Sequence, residues 1–380
     1  MSWEEFELGE LCKIGRGSSP RPISNSKYFD EGDIPWVKIA DATDSSRVIY
    51  KTKQHVNSYG ASFSRFLPSG SLILSASGTV GFPMILGVEG CIHDGWLYFD
   101  DFKNITKEFL YYKLIDLNKY YYSLSYGGAN IQNINTEIVR KTKIKLPPLQ
   151  TQKRIADILS AYDDLIENNL KRIKLLEQAA QNIYTEWFAN LRFPGYENTP
   201  INEETGLPKG WVDSKYSNHF DLLTGKKDAN HSTPDGDYPF FTCGKKIIKS
   251  PDFSFDCNAI LLAGNGDFNV KYFRGKFQAY QRTYILSPFN SNELFLLFIH
   301  LSLNLKHLTH GSKGSVIKYL TKGMIEDFTF IFPNETILEK FNNLCENIFS
   351  QIETLEKQNQ RLKSARDILL PRLMNRTIEV

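Results

Sequence analysis

The chain has 380 residues, 41% of them hydrophobic and 13% aromatic, with a formal net charge of +2. That length suits two or three domains, and that composition excludes a disordered chain. No apolar run reaches about 18 residues, so no membrane span is expected, and the acidic start MSWEEFELGE lacks a basic-then-apolar leader.

Five scattered cysteines (Cys12, Cys91, Cys243, Cys257, Cys345) show no metal-ligand spacing. They point to a reduced, cytoplasmic setting. The small net charge leaves nucleic-acid binding open, because clustering of charge decides it.

Residues 1–145 read as one mixed α+β domain. Trp3 to Ile14 leads into a glycine-rich basic loop, Gly15 to Pro20. Strands are predicted at Ile34–Ile39, Leu72–Ser77, Met84–Val88, Trp96–Phe99 and Lys143–Leu146, with a helix over Asn104–Tyr122. Gly78-Thr79-Val80-Gly81 is a turn, and Tyr126 to Ile131 is a loop.

Residues 146–192 form a long helix. Pro147 and Pro148 open it, Thr151 is the expected N-cap, and no proline or glycine follows before Phe188. Its apolar seam is Ile155, Leu159, Tyr162, Ile166, Ile173, Leu176, Ala180 and Ile183, a heptad pattern for packing lengthwise on another helix.

Residues 193–331 repeat the first domain's order of signals. Trp211 stands for Trp3, Leu222–Lys227 for Cys12–Gly17, Gly236–Phe240 for Gly32–Trp36, and Ile260–Gly266 for Leu72–Gly78. A helix follows at Glu293–Lys306, then the loop Gly311–Gly314 and the strand Phe328–Phe332. Residues 332–380 supply a second long helix, which aligns without a gap when Pro333 is laid on Pro147. Its seam is Leu338, Phe341, Cys345, Ile348, Ile352, Leu355, Leu362 and Leu369, with an expected stop or kink at Pro371. Asn169 and Asn359 interrupt the two seams. They either face solvent or form a buried pair that fixes register. A period near 190 residues is a duplication of whole domains, compatible with a pseudo-twofold axis.

Catalytic motifs are missing. Phe220 and Pro239 stand where a P-loop needs glycine, and Leu262–Gly266 lacks the rest of a dinucleotide fingerprint. There is no (D/N)PP(Y/F) motif, no PD…(D/E)xK set and no GxSxG elbow. No cofactor or metal is expected in this chain.

Binding remains. Two similar domains joined through long helices suit a long ligand with repeated half-sites, such as double-stranded DNA. Candidate contacts in the first domain are Arg16, Ser18, Ser19, Arg21, Ser77, Thr79, Asn130, Gln132 and Asn133. In the second they are Lys226, Lys227, Asn230, Lys245, Lys246, Asn265, Asn269, Lys271, Lys313, Ser315 and Lys318. Cations would hold phosphates, while amides and arginines can read base edges. Tyr120-Tyr121-Tyr122 belongs either to the core or to a base-stacking surface.

The run Leu146-Pro147-Pro148-Leu149-Gln150-Thr151-Gln152-Lys153-Arg154-Ile155-Ala156, the helix to Trp187-Phe188 and the strand-turn Leu72–Gly81 resemble the specificity subunit of a type I restriction–modification system. The likeness covers essentially the whole chain. It departs at Pro333-Asn334-Glu335, where the first repeat has Pro147-Pro148-Leu149. The resemblance implies an α+β, pseudo-twofold duplicated chain. Two target-recognition domains would be separated by two long helices packed as an antiparallel coiled coil, each domain reading one half of a bipartite DNA target. It further implies a non-catalytic chain that recruits two methylation subunits and, in the full complex, restriction subunits. S-adenosylmethionine, ATP and magnesium would sit on those partners. The competing classes are a protein scaffold without DNA and a stand-alone enzyme, with His93-Asp94 as its candidate site.

Overall fold

The computed structural model describes residues 3–43, 46–126, 133–310 and 318–380. It divides into two compact units, Met1–Leu170 with Glu356–Val380, and Lys171–Leu355. The central helix spans Leu149–Tyr184 and the C-terminal helix Glu335–Met374, so each unit contains one half of each long helix.

In the first unit a five-stranded sheet has the spatial order Lys13–Arg16, Trp96–Asp100, Leu72–Ser75, Pro83–Leu86, Val48–Ile49. A four-stranded sheet has the order Gln54–Val56, Ile34–Val37, Gly90–Ile92, Arg65–Leu67. Leu72, Ile73, Leu74 and Ser75 are all buried. Leu72 and Leu74 face the main core and Ile73 a second cluster on the other side. A strand covered on both faces has no reason to alternate in polarity, which explains the unbroken apolar run. The expected helix over Asn104–Tyr122 is two helices, Lys107–Asp116 and Asn118–Tyr126. It starts late because Thr106 caps it, its hydroxyl accepting the Phe109 N–H at 3.2 Å.

The second unit repeats this order within one six-stranded sheet: Phe220–Thr224, Thr283–Pro288, Phe255–Ala263, Val270–Ala279, Tyr238–Phe241, Ile248–Ser250. Each unit also carries a two-stranded ribbon joining its first strand to the strand before its long helix. Glu4 pairs with Leu146, and Val212 with Phe332. Trp3 and Trp211 therefore hold the same place in the two repeats.

The long helices run antiparallel within each unit. In the first, Arg366 pairs with Asp163, and the Asn169 amide donates to Asn359 Oδ1 at 2.9 Å. In the second, Phe188 meets Phe341 edge-on, with ring centroids 4.8 Å apart. Asn169 is buried and Asn359 half-buried, so the seam asparagines face each other as a pair and do not both turn to solvent. Ile155, Leu159, Ile166, Phe341, Ile352 and Leu355 are buried, while Ile173, Leu176, Ile183, Ile348, Leu362 and Leu369 are half-buried.

Two helix ends differ from the expectations. The central helix starts at Leu149, and Thr151 is not its N-cap. The Pro148 carbonyl accepts the N–H groups of Thr151 and Gln152, at 2.9 and 3.0 Å. The fully buried Gln152 pins that turn, donating to the Asn104 and Pro147 carbonyls (2.8 and 2.9 Å) and accepting the Thr106 N–H (2.9 Å). At the other end the C-terminal helix continues through Pro371 to Met374. Leu370, Leu373 and Met374 are buried in the first unit's core, and that packing outweighs the hydrogen bond proline removes in the last turn.

Candidate nucleic-acid interface

In the first unit, Lys13–Arg16 runs antiparallel to Trp96–Asp100, and the Gly17 N–H donates to the Trp96 carbonyl at 2.9 Å. A Cβ on Gly17 would lie 2.2 Å from the His93 carbonyl oxygen, so only glycine lets the loop cross the 93–95 turn. Asp94 in that turn gathers the loop. Its carbonyl accepts Arg16 Nε at 2.7 Å, and its carboxylate accepts the Arg21 guanidinium and the Ser19 hydroxyl, the latter at 3.3 Å. Ser19 in turn accepts the Asp94 N–H. Arg16, Ser18 and Arg21 are exposed.

Beside them the His93 ring packs on Trp36, and Lys38 Nζ lies 5.3 Å from the centre of the Trp36 ring. Burial holds the His93 imidazole below its usual pKa, and Lys38, Arg21 and Arg16 push the same way against Asp94. A neutral ring fits the Gly95 N–H donating to Nδ1 at 2.9 Å, so the 2.9 Å approach of that nitrogen to Asp94 is not a salt bridge. Ser77 forms a bridge to Asn133, and Thr79 is exposed in the neighbouring turn. Tyr121 is core, while Tyr120 and Tyr122 are about half exposed. Asn130 and Gln132 lie outside the described residues.

The second unit uses the same frame. The Gly225 N–H donates to the Thr283 carbonyl at 3.0 Å, and a Cβ there would meet the Tyr280 carbonyl oxygen at 2.2 Å. Gly225 is therefore the counterpart of Gly17, and the matching of Leu222–Lys227 to Cys12–Gly17 is corrected by two residues. Lys226 and Lys227 correspond to Ser18 and Ser19, and Thr224 to Arg16. Sequence likeness aligned the wrong glycine; the position against a neighbouring carbonyl identifies the right one.

Lys226 is exposed, with its ammonium 5.2 Å from the centre of the Phe255 ring. Lys227 reaches Asp252 at 3.3 Å. Asp252 also accepts His231 Nε2 and Gln278 Nε2, both at 2.8 Å, and those bonds, His231's first, hold its carboxyl well below the usual range. Asn230 is exposed, as are Lys245 and Lys246 in the turn after Tyr238–Phe241. Asn269 donates to the Cys243 carbonyl and Lys271 to the Gly244 carbonyl, both at 2.8 Å, which clamps that turn onto the hairpin. Burial lowers the Lys271 pKa. Asn265 bridges to Tyr319 as Ser77 does to Asn133, and the exposed Lys318 accepts the Gly266 N–H at its carbonyl. Lys313 and Ser315 lie outside the described residues.

Asp94, Lys38, His231, Asp252 and Gln278, which contact or flank the candidate residues, were not among the candidates read from the sequence. Asp94 entered the sequence reading only as half of an enzyme candidate. Its one signal was a charge within the apolar segment Cys91–Trp96. Asp252, His231 and Gln278 meet from three elements and had no signal.

One chain of side chains has the look of a catalytic relay. His219 lies 2.9 Å from Glu293 and 2.8 Å from the Ser214 hydroxyl. Its ring is packed by Phe330 and Phe332, and Glu293 directly precedes the helix Leu294–His310. The set ties that helix to the ribbon strand Val212–Lys215. Among the described residues no His, Cys, Asp and Glu group is arranged to hold a metal ion, and no helix is long and apolar enough to cross a membrane.

Comparisons with known proteins agree with this architecture. The family described as type I restriction modification DNA specificity domain matches residues 1–178 and 208–364, one match per repeat. The chain is 39% identical over 173 residues to the EcoDI specificity subunit of Escherichia coli, covering 44% of this chain and 39% of that protein. It is 25% identical over 407 residues to the MjaIX specificity subunit of Methanocaldococcus jannaschii, covering 98% of this chain and 92% of that one. The crystal structure of the S subunit from M. genitalium shares the fold, with a TM-score of 0.58 at 14% identity and coverage of 98% of this chain and 96% of that chain.

Proposed function

We propose that this chain, which belongs to the type I restriction–modification DNA specificity family, reads a bipartite duplex DNA target, each unit taking one half. The observation that carries the reading is the recurrence of one backbone frame in both units. Each presents a loop crossing a strand turn at Gly17 or Gly225 and a second polar turn at Ser77 or Asn265. Arg16, Arg21 and Lys38 in one, and Lys226, Lys227, Lys245 and Lys246 in the other, supply cations for phosphates and base edges. Asn269 and Lys271, whose polar groups serve the protein backbone, hold the second unit's lysine turn in place.

The chain is the address and the scaffold. Two methylation subunits dock on the long helices and neighbouring faces, bringing S-adenosylmethionine and the reacting groups. Restriction subunits add ATP- and magnesium-dependent cleavage. The paired helices set the length of the unread gap.

Methylation mapping tests this. The chain is co-expressed with the methylation subunit encoded beside it, and modified bases are read across the host DNA. The expected result is two short defined sequences with a fixed gap. A continuous short site overturns the bipartite reading. No methylation, together with no salt-sensitive DNA binding by the pair, favours a protein scaffold, since phosphate contacts release counterions and scaffolding does not.

A further inference from the structure

In each unit the loop after the glycine at 17 or 225 meets an aspartate, and the two aspartates come from different places. Asp94 lies in the turn between Gly90–Ile92 and Trp96–Asp100, whereas Asp252 follows Ile248–Ser250. The shared frame makes Gln281 the counterpart of Asp94. Gln281 also holds the equivalent loop, its side chain donating to Asp228 at 2.7 Å and its N–H to the Lys227 carbonyl at 3.0 Å, but it carries no charge. The same position thus holds its loop in both halves, but the acid that meets a loop cation is Asp94 in the first and Asp252, from another place in the fold, in the second.

In the first unit Asp94 touches Arg16, Ser19 and Arg21, three of the nine contacts expected there. Its side chain is 30% exposed while that of Arg21 is 66% exposed, so the acid sits behind the cation it steers. In the second unit Asp252 takes Lys227, His231 and Gln278 from three separate elements. A carboxylate facing DNA opposes phosphate binding, so neither acid serves simple attraction. A carboxylate that fixes the direction of a guanidinium or ammonium group narrows the set of base edges that group can reach.

We infer that Asp94 and Asp252 are positioning residues for specificity, Asp94 aiming Arg21 and Asp252 aiming Lys227 at the half-site of its own domain. The inference rests on the DNA-reading function proposed above. It assigns to each half of the target one acidic residue that touches no base.

The test uses the complex of the full chain with its methylation subunit, read by methylation mapping. Asp94→Asn keeps the shape of the side chain and removes its charge. The expected result is at least a tenfold rise in methylation of sites carrying one wrong base in one half, with the other half read as strictly as before. Asp252→Asn relaxes the opposite half. Arg21→Gln, which keeps every residue of the 93–95 turn and removes only the exposed cation bonded to Asp94, relaxes the same half as Asp94→Asn, so the result does not hang on one variant's folding. The inference is overturned by an unchanged motif in Asp94→Asn and Arg21→Gln, by equal relaxation of both halves, or by tighter binding at all sequences without a change of preference. A wild-type complex with no bipartite motif sinks the DNA-reading proposal instead, and that outcome is distinguishable because it appears before any substitution.

Discussion

The two units hold their long helices by opposite chemistry. With Pro147 laid on Pro333, Asp163 of the central helix falls on Phe349 of the C-terminal helix. In the first unit Asp163 is buried and accepts the Tyr112 hydroxyl at 2.7 Å while pairing with Arg366; next to it Arg47 reaches Asp164 at 2.6 Å. In the second unit Phe349 stacks on Phe295 with centroids 4.5 Å apart and rings 6° from parallel, and Tyr272 and Phe298 close around it. Charge there is confined to the rim, where Arg274 forms a two-pronged pair with Glu346, both bonds at 2.8 Å. One helix position is thus solved once by a polar network and once by aromatic packing. A repeated fold fixes where contact occurs and leaves the kind of contact free.

The sheets differ for a more local reason. Register makes Pro68–Ser71 the counterpart of Asp256–Ala259. Proline and glycine end the first unit's strand at Leu67, and it resumes at Leu72. The second unit has neither there, so Phe255–Ala263 is continuous and its two sheets merge into one.

Substitutions break these contrasts by amounts that can be ranked. Phe349→Ala should cost the second unit about 3–5 kcal/mol, because it empties a stacked core position. Hydrogen exchange should show the loss in residues 171–355 first; equal loss in both units would mean the aromatic junction is not local. Asp163→Ala should cost the first unit about 3 kcal/mol by leaving Arg366 and Tyr112 without their buried partner. The triple change Asp163→Phe, Tyr112→Phe, Arg366→Met should recover most of that, since apolar replacement of a whole buried ionic set is often neutral or stabilising. Denaturant unfolding of the single and triple variants compares the two chemistries at one site.

Acid should separate the units as well. Burial lowers the His300 pKa from 6.5 to about 4. As pH falls below 6.5 the unfolded chain takes up a proton that the folded imidazole refuses. The second unit's stability is therefore full above pH 6.5 and falls toward pH 4, by up to about 3 kcal/mol. His300→Gln should flatten that slope, measured as midpoint against pH. The smallest effect is expected at the helix pair itself. Asn169→Ala should cost about 1 kcal/mol, the worth of one hydrogen bond plus the exposed need of Asn359. A denaturation midpoint that does not move would remove the pair from any role in register.

The long helices, the duplication and the strands near Ile34, Leu72, Met84, Trp96 and Lys143 were legible from the chain alone, because proline placement, heptad spacing and apolar runs are local or periodic properties; short strands such as Lys13–Arg16, Val48–Ile49 and Arg65–Leu67 carried no such signal. The match of Gly236–Phe240 to Gly32–Trp36 held in three dimensions: Trp36 and Phe240 occupy equivalent positions beside the parallel partners Cys91 and Gln278. What depends on neighbours distant in sequence was decided only by tertiary structure. The start of the central helix answers to Gln152 reaching Asn104, its partner's passage through Pro371 to a buried Leu373, and the identity of Gly225 as the counterpart of Gly17 to the carbonyl of Tyr280, far along the chain. The same holds for Asp94 and Asp252. A carboxylate's role is set by which cations the fold brings within about 3 Å of it, and no spacing along the chain encodes that meeting.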